Sequence, residues 1–190
     1  MQIETERLIL RYFKREDAKA LYQCASDKKV GPLAGWTTHK DEAYSLGIIE
    51  KVLLKPYSFA IFLKEDMTLI AGIEIEVGED STLYIYEDEA EISYWLNSNY
   101  WHQGLMSEAL VAAIEYSFNN YAINTFYAAS FVYNIPSLKL QEKLGFKYSR
   151  IKKNIYNPFL DRVFDAQINV LEKEDFYKSD IYQKYLGNVH

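Results

Sequence analysis

Apolar positions along the chain change their period several times, and each change marks an element. Leu8, Ile9, Leu10, Tyr12 and Phe13 form a short, mostly apolar run that reads as a strand. Over residues 17–25, Ala18, Leu21, Tyr22 and Ala25 recur at helical spacing. Gly31, Pro32 and Gly35 then break the chain, and residues 39–54 form a second helical region with Tyr44, Ile48, Ile49 and Val52 on one side. Residues 57–63 and 69–77 read as antiparallel strands joined by the polar turn Lys64, Glu65, Asp66, and residues 89–96 as a further strand. The clearest helix covers residues 104–119, where Leu105, Ala109, Leu110, Ala113, Ile114 and Phe118 make a broad apolar stripe. Residues 126–132 return to strand, and residues 137–144 form a short helix stopped by Gly145. Strands from Phe146 and over residues 163–171 follow, with Asn157 and Pro158 between them.

The central order strand–helix–strand–helix favours parallel pairing there and gives one mixed α/β (α+β) domain over residues 1–175. Residues 176–190 form a C-terminal extension, expected as a peripheral helix. Hydrophobic residues at 49% allow a full core, and 17 Tyr in 190 residues suggest rings that edge a cleft or a homodimer interface. A net charge of −6 leaves no basic stripe for nucleic acid. Cys24 is the only cysteine, so no intrachain disulfide forms and a cytoplasmic location is expected. The scattered His39, His102 and His190 predict no metal site, and the acidic start with no long apolar run predicts neither leader nor membrane span.

Chemistry concentrates between Tyr94 and Leu110. Tyr94, Trp95 and Leu96 end a strand, a bend follows through Asn97 to Gln103, and Gly104 opens the strong helix. Such a turn aims free backbone N–H groups and the positive end of a helix dipole at one point, which suits phosphate oxygens. Gly104 permits close approach, and Ser107 adds a hydroxyl.

This run resembles the acetyl-CoA signature of the GNAT superfamily, in the form of its RimJ/RimL-type branch: Tyr100-Trp101, then Gly104, then Ser107-Glu108-Ala109. Glu4-Thr5-Glu6-Arg7-Leu8-Ile9-Leu10-Arg11 is similar to that branch's opening strand. Asn134-Ile135-Pro136-Ser137, with Glu142-Lys143-Leu144-Gly145-Phe146-Lys147, looks like its second signature. The resemblance implies a twisted mixed sheet of about six or seven strands flanked by about four helices, with central parallel strands that splay apart. It also implies acetyl-CoA as cosubstrate, no metal, and transfer of the acetyl group to an amine. Main-chain groups of Trp95, Leu96 and Asn97 would meet the pantetheine, and amides of His102, Gln103, Gly104, Leu105, Met106 and Ser107 the pyrophosphate. Asn134 would face the pantetheine or thioester region and Ser137 would sit near the sulfur. Trp101 and Met106 depart from the broader family pattern. So does Gln141, which stands where many members carry the tyrosine that protonates the leaving thiolate.

An amine attacks a thioester only as the free base, so a proton acceptor is needed. Glu91, alternating with Glu89, Ser93 and Trp95 on one strand face, is the first candidate, and Glu74 the second. Residues 74–91 hold eight carboxylates and no Lys or Arg, a field that would attract a cationic small molecule or a peptide N-terminus. The alternative from another class is a GNAT-fold sensor that binds acyl-CoA without turnover.

Overall fold

The structure is a computed structural model and describes residues 1–188. Among these residues eight strands and seven α-helices occur, more of each than the apolar pattern marks out, within the mixed α/β class it implies. The strands pair mostly antiparallel. The additional elements are short. The strand β1 (Gln2–Glu4) has no buried residue and so no alternation to read. The helix α2 (Gly31–Ala34) begins where a break is expected, because Pro32 lies in its first turn, where a missing N–H costs nothing. The chain divides into two compact units.

The first unit comprises Met1–Glu74 and Tyr94–Ala113. Here β2 (Leu8–Tyr12), β3 (Ser58–Leu63) and β4 (Leu69–Val77) form antiparallel ladders, with a register shift between Ile61 and Phe62. Alternation places Leu8 and Leu10 on one face, both fully buried, and Ile9 against the core that gathers Phe13, Leu21, Ile49, Phe62 and Trp95. The turn from β2 into α1 (Ala18–Ala25) is fixed by Arg11, which grips both carboxylate oxygens of the buried Asp17 at 2.7 Å and lies 4.2 Å over the Phe62 ring. Asp17 also accepts the Lys14 N–H at 2.8 Å. The second helical region is α3 (Glu42–Ile48), capped by Asp41, which accepts the Tyr44 N–H, and continued by a π-turn at Ile49–Leu53.

His39 is buried before α3. Its Nδ1 lies 2.9 Å from Ser45 Oγ, and its ring packs against Trp36 and Tyr44. Burial holds its pKa below the ordinary histidine value. The unfolded chain therefore binds the proton more readily, so this group's contribution is full above pH ~6.5 and is lost as pH falls from there through the lower folded pKa. The melting temperature of the wild type is expected to drop faster than that of His39→Gln between about pH 7 and about pH 5.5, as read by thermal denaturation.

The second unit comprises Ile75–Ser93 and Ile114–His190. The strand β5 (Glu89–Leu96) pairs in parallel with β6 (Thr125–Phe131), matching Glu89 with Thr125, Ala90 with Phe126 and Glu91 with Tyr127. That ladder ends at Glu91–Tyr127, although β5 runs on to Leu96 and β6 to Phe131. β8 (Arg162–Glu172) lies antiparallel between β6 and β7 (Lys147–Asn157). Two short helices end the described chain, α6 (Lys173–Lys178) and α7 (Asp180–Asn188), and Val189 and His190 of the expected extension lie outside the described residues. Phe176 is fully buried against Phe118, which in turn packs on Phe126 at 5.1 Å. Tyr182 is buried with its hydroxyl donating to Glu115 at 2.7 Å, so α6 and α7 both contribute to this core.

Candidate active site

The turn expected to hold phosphate lies in the first unit, ahead of α4 (Leu105–Asn120). His102, Gln103 and Gly104 are exposed. His102 and Gly104 adopt positive φ, 62° and 77°, so the backbone twists twice within three residues before the helix begins. Leu105 and Met106 turn their side chains into the core. The helical ladder opens with the Glu108 N–H donating to the Gly104 carbonyl at 3.1 Å, leaving the amides of Leu105, Met106 and Ser107 at the positive helix end.

The turn is held from the segment between β1 and β2. Glu108 accepts from Thr5 Oγ1 at 2.5 Å, from the Arg7 N–H at 2.8 Å and from Arg7 Nε at 2.7 Å. Arg7 Nη1 donates to the Gln103 carbonyl at 3.0 Å, and a Cβ on Gly104 would sit 3.6 Å from Arg7 Nη2. One carboxylate and one guanidinium thus join both ends of the turn to the start of the chain. Thr5, Arg7 and Glu108 all fall inside the quoted motifs, yet no spacing rule links residues 103 positions apart, so their partnership is invisible in sequence.

At the end of β5 the main chain is partly committed. Asn97 N–H donates to the Ile70 carbonyl at 2.9 Å, and the Leu96 carbonyl accepts from Trp101 Nε1 at 2.9 Å. Asn97 Oδ1 accepts the Asn99 N–H and caps the single turn that follows. The Trp95 side chain is buried edge-on to Trp36 at 6.2 Å and packs so closely on Gly72 that a Cβ there would lie 2.6 Å from Trp95 Nε1. Gly72 is therefore a seat for the indole.

Glu91, Asn134 and Ser137 belong to the second unit. Three donors converge on Glu91 Oε2: Ser81 Oγ at 2.8 Å, and the Thr82 N–H and Oγ1, both at 3.2 Å. Its neighbour Glu89 accepts from the Tyr86 N–H and the Tyr127 hydroxyl, so part of the acidic segment organises its own loop. Glu74, in the first unit, stands opposite Ser58 in the β3–β4 register, with its Oε2 3.8 Å from Lys55 Nζ. Ser58 Oγ is buried without a hydrogen-bond partner among the described residues, a costly arrangement that a water would relieve.

Asn134 is the N-cap of α5 (Ile135–Lys143), its Oδ1 accepting the Ser137 N–H at 3.4 Å. Ser137 Oγ lies 2.8 Å from Ser130 Oγ and 3.3 Å from Gln141 Nε2. Gln141 is buried and continues through Asn169 to Gln167 as a run of side-chain amides. Sequence periodicity offers no signal for this run, since its members sit on α5 and β8.

Cys24 is buried with Sγ 2.8 Å from the Leu69 carbonyl, and burial pushes the thiol up to about 11. A protonated, enclosed thiol is a poor nucleophile. Among the described residues no cluster of three or more His, Cys, Asp or Glu is arranged to hold a metal ion, and no helix is long and apolar enough to cross a membrane.

Residues 7–147 match the family model described as an acetyltransferase (GNAT) domain. The N-acetyltransferase p20 of Bacillus licheniformis, itself uncharacterised, is 29% identical over 177 residues, spanning 90% of this chain and 96% of its own. Solved structures share the fold. An acetyltransferase of the GNAT family from Bacillus anthracis superposes with a TM-score of 0.77 at 24% identity, covering 92% of this chain and 99% of its own. The ribosomal-protein-S5-alanine acetyltransferase from Vibrio fischeri superposes with a TM-score of 0.73 at 20% identity, covering 93% and 98%.

Proposed function

The chain belongs to the GNAT acetyltransferase family, and on that footing we propose that it moves the acetyl group of acetyl-CoA to a primary amine by direct attack. The observation that carries the reading is the exposed turn at residues 102–104, with its two positive φ values, feeding the amides at the start of α4. The amides of His102 through Ser107 hold the pyrophosphate, and main-chain groups of Trp95, Leu96 and Asn97 address the pantetheine as an added strand does. Strand alternation turns the Leu96 N–H away from β4, to which Asn97 donates, and the Leu96 carbonyl already accepts from Trp101, so this task falls chiefly on the Leu96 N–H. Asn134 and Ser137 serve the thioester end. No acyl-enzyme forms, because Cys24 is enclosed and protonated.

Glu91 takes the proton from the attacking amine, with Oε2 fixed by Ser81 and Thr82 and Oε1 addressing the acceptor directly or through water. Glu91→Gln is expected to lower kcat/KM for the amine by roughly a hundredfold and to remove the acid limb of the pH–rate profile. An unchanged profile transfers the role to Glu74. The acceptor is a cationic small molecule or a peptide N-terminus drawn by the acidic segment, in the manner of the RimJ/RimL-type branch, and the reaction belongs in the cytoplasm. Raising ionic strength should raise the acceptor KM and spare that for acetyl-CoA; no salt effect on the acceptor removes the field from the account.

Release of free thiol from acetyl-CoA across peptides, polyamines and aminoglycosides tests the assignment. Gln141, in place of the acid tyrosine, favours one second reading, a sensor that binds acyl-CoA without turnover. Thermal stabilisation by acetyl-CoA with no thiol released by any amine would select it.

A further inference from the structure

We propose that Gln141 is a positioning residue that fixes the direction of hydrogen bonding at Ser137, with Asn169 and Gln167 holding it in that sense. The inference rests on the reading of Ser137 as the residue beside the thioester sulfur. Gln141 is 1% exposed and Asn169 4%. Gln167 Nε2 donates to Asn169 Oδ1 at 2.9 Å, and Asn169 Nδ2 donates to Gln141 Oε1 at 2.7 Å. With its oxygen engaged, Gln141 turns its NH2 group to the serines, 2.8 Å from Ser130 Oγ and 3.3 Å from Ser137 Oγ.

An amide NH2 group donates twice and accepts nothing. Neither serine hydroxyl can therefore give its hydrogen to Gln141. Ser130 and Ser137 are 2.8 Å apart and share one hydrogen between them. The second hydrogen of the pair can go only to an acceptor other than that amide group. Three aligned amides thus turn the two serines into a net donor, and in a buried setting that polarity is costly to reverse.

A departing thiolate needs such a donor. As the amine attacks the carbonyl carbon, a C–N bond forms and the C–S bond breaks, leaving its electron pair on sulfur. The amine proton goes to the general base. The serine hydroxyl keeps its own proton and stabilises the sulfur anion through a hydrogen bond. The side chain of Gln141 supplies no acid; it supplies the orientation.

Two near-isosteric substitutions reverse the run. In Gln141→Glu the carboxylate accepts from the serines. In Asn169→Asp the new carboxylate accepts from Gln141 Nε2, the amide turns over, and its carbonyl faces the serines. At about pH 9, near and above the ordinary thiol pKa, wild-type protein is expected to bind CoA roughly tenfold more tightly than desulfo-CoA, measured by calorimetry. Both variants should lose that preference while binding desulfo-CoA within about twofold of wild type, which also shows that they fold. Their kcat should fall about tenfold, with the KM for acetyl-CoA little changed. The deficit of Gln141→Glu should shrink as pH falls, because a protonated carboxyl donates again; a purely structural role gives no such recovery. A wild type without the preference, or variants that keep it, overturns the proposal. A wild type that shows the preference but acetylates no amine upholds the run of amides and removes the enzymatic reading instead.

Discussion

Glu108→Ala is expected to lower stability by about 2–3 kcal/mol, a fall in melting temperature of roughly 4–12 °C. Glu108 accepts from three donors at once: the Thr5 hydroxyl, the Arg7 N–H and Arg7 Nε. Its side chain is 10% exposed and that of Arg7 45%. Truncation therefore leaves the buried Thr5 hydroxyl without one of its bonds, whereas the guanidinium recovers water. The cost follows the buried side of the network. Arg7→Met should accordingly lose about 1 kcal/mol or less, and Glu108→Gln should fall between the two, since its amide oxygen still accepts. Thermal denaturation of the three variants orders them. Because the network also pins the Gln103 carbonyl through Arg7, acetyl-CoA affinity should weaken in Glu108→Ala at temperatures where the variant remains folded. Equal losses in Glu108→Ala and Arg7→Met would mean that the exposed ion pair dominates.

Gly104→Val is expected to act mainly on the cosubstrate. A φ of 77° is open to glycine and strained for a β-branched residue, at a cost of roughly 1–3 kcal/mol. The first added atom meets Arg7 Nη2 only at 3.6 Å, an ordinary contact, so the first unit can still fold around it. What changes is the turn. Relaxing the strain rotates the peptide planes on either side, and the branched side chain stands where an anion must approach the amides. A loss of that size in the bound state corresponds to roughly a tenfold to hundredfold rise in the dissociation constant for acetyl-CoA. Calorimetry at matched temperature checks it, and Gly104→Ala should show the smaller effect. If affinity survives Gly104→Val while stability falls, the turn does not hold phosphate.

These two positions also mark what could be read from the sequence. Gly104 and the helix after it were legible because the information is local: residues 104–119 carry a continuous 3.6-residue stripe, and the helix runs Leu105–Asn120. The parallel pairing of β5 with β6 followed from element order alone. Apolar spacing places the start of α5 two residues late; Asn134 caps it and Pro136 occupies its first turn, a start signal already written in the residues. β1 and α2 gave little signal, the one for want of a buried face and the other because Pro32 begins a helix as well as it breaks one. The polar networks were not legible. Hydrophobic period reports which face is buried, and says nothing of which buried polar atoms meet. Glu108 with Thr5, and Gln141 with Asn169, are pairings of distant positions set by packing of whole elements. The eight carboxylates of residues 74–91 were legible as charge, and only the fold shows that Glu89 and Glu91 have structural partners of their own.

A single turnover with acetyl-labelled acetyl-CoA tests the central claim most directly. Enzyme in excess over labelled acetyl-CoA is mixed with a cationic amine that releases thiol in the screen, and protein and amine are both weighed by intact mass spectrometry through the reaction. Under direct attack the label appears on the amine in step with free thiol, and the protein's mass never changes. Label retained on acetyl-CoA bound to the protein, with no thiol released, would contradict it; so would label passing first onto the protein itself.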